Sequence, residues 1–108
     1  MCLIAIRRAA LPPQHMLIGV LTVRIEIAGS ESLKDKRMVV RSLVSRVRDK
    51  LNVSAAEVAD LDLWQRATLG FVIVSNDQAH NDQVLEKVVR VIESEPRCAV
   101  LEVERETI

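Results

Sequence analysis

Along LIGVLTVRIEI, residues 17–27, apolar and polar positions follow a period of two. Leu17, Gly19, Leu21, Val23, Ile25 and Ile27 share one side of an extended chain, and Ile18, Val20, Thr22, Arg24 and Glu26 the other. This predicts a strand with one buried face and one that turns polar towards its end. Gly29 supplies a turn. Ser32 followed by Asp35 has the spacing of a helix N-cap, with Asp where Glu is usual. From Leu33 to Lys50 the period becomes helical, with Leu33, Val40, Leu43, Val44, Val47 and Leu51 on one stripe and Asn52 as a stop. Val53–Val58 predicts a short strand, ADLDLWQR a connection, and Ala67–Ser75 a strand in which Leu69, Phe71 and Ile73 alternate. Ser75 and Gln78 have capping-box spacing, with Asn76 and Asp77 as other candidate caps. The helix that follows carries Val84, Leu85, Val88 and Ile92 on its stripe, widened by Val89 and Val91, and closes at Glu95–Pro96. Ala99–Arg105 is a last strand, with Leu101 and Val103 inward and Glu102, Glu104 and Glu106 outward.

The order β-α-β-β-α-β predicts an α+β ferredoxin-like sandwich. Its sheet is four-stranded and antiparallel, both helices lie on one face, and the first and third strands are central. The domain runs over residues 16–106. Residues 1–15, MCLIAIRRAALPPQH, read as an appended tail that is either loosely ordered or the product of a start codon assigned too early, with Met16 the true beginning. The apolar run Cys2–Ile6 is too short for a signal sequence, Arg7 and Arg8 follow it rather than precede it, and Pro12–Pro13 interrupts any element. No stretch approaches the roughly 20 apolar residues of a membrane span.

Composition narrows the picture. A chain of 108 residues makes one domain. Trp64 and Phe71 are its only aromatic residues, so the core is built from Val, Leu, Ile and Ala. Cys2 and Cys98 stand alone, without C-x-x-C or metal-ligand spacing, which points to unpaired thiols in a reducing, cytoplasmic compartment. Net charge is zero, so no global field draws the chain to nucleic acid or membrane.

The charge is nevertheless segregated. Between Ser32 and Leu51 lie Lys34, Lys36, Arg37, Arg41, Arg46, Arg48 and Lys50 against Asp35 and Asp49, seven minus two, or +5. From Asp77 to Ile108 four cations face eight acids, or −4. Lys34, Arg37, Arg41 and Arg48 fall within about 60° of each other on the helix, beside the apolar stripe, with Lys36, Arg46 and Lys50 towards the other flank. A row of cations at helical spacing can track the phosphates of RNA. It can equally be a solvated rim whose long stems cover the core.

The second candidate surface is the open sheet face, with Ile18, Val20, Val72 and Val74. It has no aromatic residue, so recognition of RNA by stacking bases on the sheet is not expected there. A bare aliphatic face points instead to a homodimer or a docked partner. Trp64 has two readings. It closes the end of an aromatic-poor core, which the shortage of bulk favours, or it anchors an interface with Gln65 and Arg66 at its rim, where Arg66 can hold a phosphate. His80 reads as a helix-start histidine, and Asp60 with Asp62 as an acidic loop rather than a metal pair. Ser30, Ser32 and Ser75 sit where backbone capping explains them. Nothing here composes a catalytic set, a phosphate-binding glycine loop, or a metal or cofactor site, so the expectation is a protein that is not an enzyme, with no small-molecule substrate.

The segments LIGVLTVRIEI, SLKDKRMVVRSL, NVSAAEV, DLWQRATLG and VSNDQAH together resemble the YlxP-like family, small bacterial proteins of unknown function, over Met16 to Glu104. S-L-K-D-K-R and D-L-W-Q-R-A are the most specific. The resemblance implies a ferredoxin-like fold. It also implies genes that neighbour those of transcription, translation and ribosome maturation, hence RNA or a ribosomal particle as a partner. Residues 1–15 fall outside the family pattern, Asn81 stands where an apolar core residue is expected, and Leu61 interrupts a usually more polar loop.

Overall fold

Residues 15–108 are described by a computed structural model. The tail, apart from His15, lies outside the described residues, as does Cys2 and with it the question of a Cys2–Cys98 pair. The elements are β1 (Leu17–Ile27), α1 (Leu33–Lys50), β2 (Ser54–Ala59), β3 (Arg66–Ser75), α2 (Gln78–Glu93) and β4 (Cys98–Thr107). The sheet order is β2-β3-β1-β4, with all neighbours antiparallel. This is the expected α+β ferredoxin-like sandwich, with the two apolar strands in the middle.

Leu21, Val23, Ile25 and Ile27 of β1 and Ala67, Leu69, Phe71 and Ile73 of β3 are buried under Val39, Val40, Leu43 and Val47 of α1 and Val84, Leu85, Val88 and Ile92 of α2. One glycine sets how closely α2 approaches. A Cβ at Gly19 would lie 3.0 Å from both Ile73 Cγ2 and Leu85 Cδ1.

The caps follow the local sequence. Asp35 N–H donates to Ser32 Oγ at 3.0 Å, and the Asp35 carboxylate accepts from Glu31 N–H at 3.1 Å. At α2 the cap is Asp77, which accepts from His80 N–H at 3.2 Å. The Ser75–Gln78 box does not form: Ser75 Oγ accepts from Asp77 N–H at 3.1 Å and donates to Asn81 Oδ1 at 2.6 Å. Asn81, the polar residue at an apolar position, is fully buried and also donates from Nδ2 to the Leu17 carbonyl. It bridges the end of β3 to the start of β1.

β4 departs from expectation. Val103 faces inward opposite Val23, yet it is 41% exposed. The register shifts between Arg24 and Ile25, so Leu101 falls at the irregularity and is 49% exposed. The helix layer stops short of this edge strand, which overhangs it. A buried ionic latch ties α1 to the turn before β4. Glu95, 4% exposed, meets Arg46 and Arg97 at 2.8 Å each. Charge-assisted hydrogen bonding to Arg97 holds its carboxyl at about 2, far below its usual 4.5.

Candidate functional site

The helical period that buries Val40, Leu43 and Val47 turns Lys34, Arg37, Arg41 and Arg48 outward, and all four are exposed. Among the described residues none of them has a carboxylate within ion-pairing distance, whereas Arg24, Arg46, Arg97 and Arg105 elsewhere on the surface are all paired. Arg48 Nη2 donates to the Ala55 carbonyl, so this side chain bridges α1 to edge strand β2. Between them runs a groove of about 430 Å³ lined by Val40, Val44 and Ala55, by Arg41 and Arg48, and by the acids Asp49 and Glu57. The helix row is therefore an open cationic surface beside β2.

The structure adds cations that the charge count conceals. Lys50 at the end of α1 shares a surface depression with Lys87 and Arg90 of α2, and none of the three has a carboxylate partner among the described residues. Lys87 and Arg90 lie in the segment whose net charge is −4, so their three-residue spacing on an exposed face was the only sign of them.

Arg66 does not join the helix row. It pairs with Glu26 in register and alternates with buried Ala67, which places it on the open side of the sheet, away from α1. That same side carries Ile18 and Val20, half-buried, and Val72 and Val74, 36% and 57% exposed. Val58 adds to them, 56% exposed and packed over Gly70. The face is not wholly aliphatic. Glu102, Glu104 and Glu106 of β4 stand opposite Arg24, Thr22 and Val20, and only Glu102 is paired, to Arg24 at 3.2 Å. This acid row disfavours RNA on the sheet more firmly than the lack of aromatic residues does.

The core-closing reading of Trp64 is overturned, since its side chain is 54% exposed. The reason is Lys36. Its side chain is fully buried and its ammonium donates to the carbonyls of Asp60 at 2.8 Å, Leu61 at 3.0 Å and Arg66 at 3.3 Å. Three N–H groups meet three carbonyls. The Glu57 carboxylate, 2.9 Å away, balances the charge without a hydrogen bond from Lys36. The β2–β3 loop is thus pinned from inside. Leu63 N–H closes a turn on Asp60, whose φ is +60°, and the Asp60 carboxylate accepts from Thr68 Oγ1 at 2.7 Å. Gln65 pairs its carbonyl with Ile27 N–H and its side-chain amide with the Ser30 carbonyl. With both ends of the loop tied down, Leu61, Leu63 and Trp64 at its tip are held in solvent.

A family model described as "Protein of unknown function (DUF503)" matches residues 18–105. The chain belongs to the DUF503 family. A curated relative, the "Uncharacterized protein YlxP" of Bacillus subtilis (strain 168), is 35% identical over 80 residues, covering 74% of this chain and 87% of that protein. The resemblance carried by the motifs is therefore shown. Among solved structures, the "De novo designed protein Foldit4" is similar at TM-score 0.49 and 14% identity, covering 86% of this chain and 96% of that one. Protein SO0527 from Shewanella oneidensis is similar at TM-score 0.46 and 16% identity, covering 88% and 90%.

In this DUF503 chain the two most specific motifs meet in space. Lys36 of S-L-K-D-K-R holds the Arg66 carbonyl within D-L-W-Q-R-A and the Asp60 and Leu61 carbonyls just before it. The charge pattern sets Lys36 towards the flank with Arg46 and Lys50, but it lies four, seven and eleven residues before Val40, Leu43 and Val47, and that phase marks it as inward-facing. Of the remaining candidates, His80 is exposed beside Lys50 and Lys87. Among the described residues no three of His, Cys, Asp and Glu group as a metal site requires. Cys98 is half-buried, and burial raises its thiol to about 11, which leaves it a poor nucleophile. No helix among the described residues is long and apolar enough to cross a membrane.

Proposed function

We propose that this chain is a non-catalytic, cytoplasmic RNA-binding accessory protein of ribosome maturation or translation, which contacts phosphates through the exposed face of α1. The observation that carries the reading is the state of Lys34, Arg37 and Arg41. They stand in a row, open to solvent, with no carboxylate to neutralise them among the described residues. Arg41 and Arg48 add a groove wall along β2. Arg66, on the other side of the sheet, is not part of this surface. The test is binding of a labelled RNA as a function of salt. Three phosphate contacts to a single strand correspond to a log–log slope of about −2, at roughly −0.7 each. Reversal of Lys34, Arg37 and Arg41 to Glu removes that slope and leaves the fold intact. Unchanged affinity in this variant rejects α1 as the RNA surface.

A second reading rests on Val58, Val72 and Val74, which together expose an aliphatic patch on the open sheet face. Such a patch suits a second copy of the chain or a protein partner. It does not compete with α1 for space, because the helices occupy the opposite face.

A further inference from the structure

Trp64 is the only tryptophan in the chain and is 54% exposed, in a protein whose one other aromatic residue, Phe71, is buried. A large apolar side chain on a floppy loop loses entropy on binding anything, and that cost is removed when the loop is already ordered. Here five backbone or amide hydrogen bonds order it: three carbonyls on Lys36, the Gln65 carbonyl on Ile27, and the Gln65 amide on Ser30. The clasp also decides where the loop sits. Lys36 belongs to the first turn of α1, between Lys34 and Arg37, so the loop adjoins the end of the helix where the unpaired cations begin. Asp60 is engaged by Thr68, which leaves Asp62 as the acid of the tip that opposes phosphate. The loop therefore offers an aromatic surface with one cation of its own, Arg66, which lines the same depression as Leu63, Trp64 and Gln65, and α1 offers the rest of the charge.

We infer that the β2–β3 loop and α1 form one composite surface for single-stranded RNA, in which Arg37 and its neighbours hold the backbone, Trp64 stacks an unpaired base, and Lys36 is the positioning residue that joins the two. This rests on the proposed RNA-binding role of α1 and adds the form of RNA to it. Bases inside a duplex are already stacked on each other and present no free face, whereas a single strand does. Stacking on an indole tolerates any base, so the surface is selective for strandedness rather than sequence. Leu63, which lines the same depression as the indole, extends the apolar contact to the sugar and the base edge.

The single tryptophan makes the test direct. Intrinsic fluorescence is followed while the full chain is titrated with an oligouridylate, with a self-complementary RNA duplex, and with inorganic polyphosphate, a polyanion without bases. Affinities are read separately from the anisotropy of a labelled oligouridylate. The inference expects the single strand to quench Trp64 in step with binding, and the duplex and polyphosphate to leave it unquenched. Trp64→Leu is expected to lower single-strand affinity about tenfold, the scale of one base–aromatic stack, with polyphosphate binding unaltered. Trp64→Phe recovers most of the loss. Single-strand binding that depends on Arg37 and Arg41 but neither quenches Trp64 nor responds to Trp64→Leu overturns the composite surface and leaves the α1 reading in place. Absence of oligouridylate binding, or binding indifferent to reversal of the α1 cations, overturns both.

Discussion

At the scale of single residues, the informative side chains are charged groups placed where the pattern calls for aliphatic ones. Lys36 occupies a core phase of α1 and Glu95 a buried turn. Hydropathy alone assigns both to solvent, because it sees a charge and not the three carbonyls or two guanidiniums waiting for it. Lys36→Met keeps the bulk and removes the donors. It leaves the Asp60, Leu61 and Arg66 carbonyls and the Glu57 carboxylate uncompensated, and the expected loss is about 3–5 kcal/mol, the scale for breaking a buried pair from one side. Urea denaturation measures it, and changing Glu57 to Gln in the same background restores part of the loss. Glu95 makes a prediction in pH. Its folded value is depressed from 4.5 to about 2, so the stability it contributes is complete above about 4.5 and disappears as pH falls towards 2. Thermal melts of the wild type fall through that window, and those of Glu95→Gln, less stable at neutral pH, change less across it.

At the scale of elements, nearly everything was legible. Both helices, the order of strands and the N-cap of α1 follow from periodicity and local chemistry, because a period of two or of 3.6 reports which side of an element meets the core. The N-cap of α2 was not, since Ser75, Asn76 and Asp77 all fit the chemistry; in the fold Asp77 takes the cap while Ser75 Oγ accepts from Asp77 N–H and donates to the buried Asn81. The exposure of Leu101 and Val103 was hidden for a related reason. Alternation reports the side of the sheet, not how far the helix layer extends over it. Packing between elements yields its own prediction. Gly19→Ala places a methyl at 3.0 Å from the side-chain ends of Ile73 and Leu85, which must give way, at a cost of about 1–3 kcal/mol by overpacking. Chemical denaturation reads this directly, and Gly29→Ala serves as a contrast, with open space around its Cβ but a φ of +78°.

At the scale of the whole molecule, zero net charge conceals two surfaces of opposite character. α1 and the Lys50–Lys87–Arg90 cluster make the helix side cationic, while Glu102, Glu104 and Glu106 make the β4 margin of the sheet acidic. The totals for the two halves of the sequence showed the imbalance. They did not place Arg66 on the far side of the sheet, because whether the loop before β3 folds towards α1 depends on the Lys36 clasp, a contact across 30 residues. The aliphatic patch sets an expectation for assembly. Val72→Asp puts a carboxylate among Val58, Val74 and Val20, and if a second copy covers this face in solution, sedimentation shows the mass fall to that of a monomer. A mass unaffected by the substitution excludes self-association through the patch.

The overhanging β4 carries one more consequence. It is a ten-residue strand whose outer edge has no neighbour among the described residues, with Leu101 and Val103 uncovered, the kind of border that recruits other strands. Three glutamates spaced two apart turn that border into a fence: an identical strand approaching antiparallel would bring like charges side by side. The fence therefore guards this long edge, and replacing Glu102, Glu104 and Glu106 with Gln is expected to favour edge-to-edge assembly at neutral pH, read by light scattering.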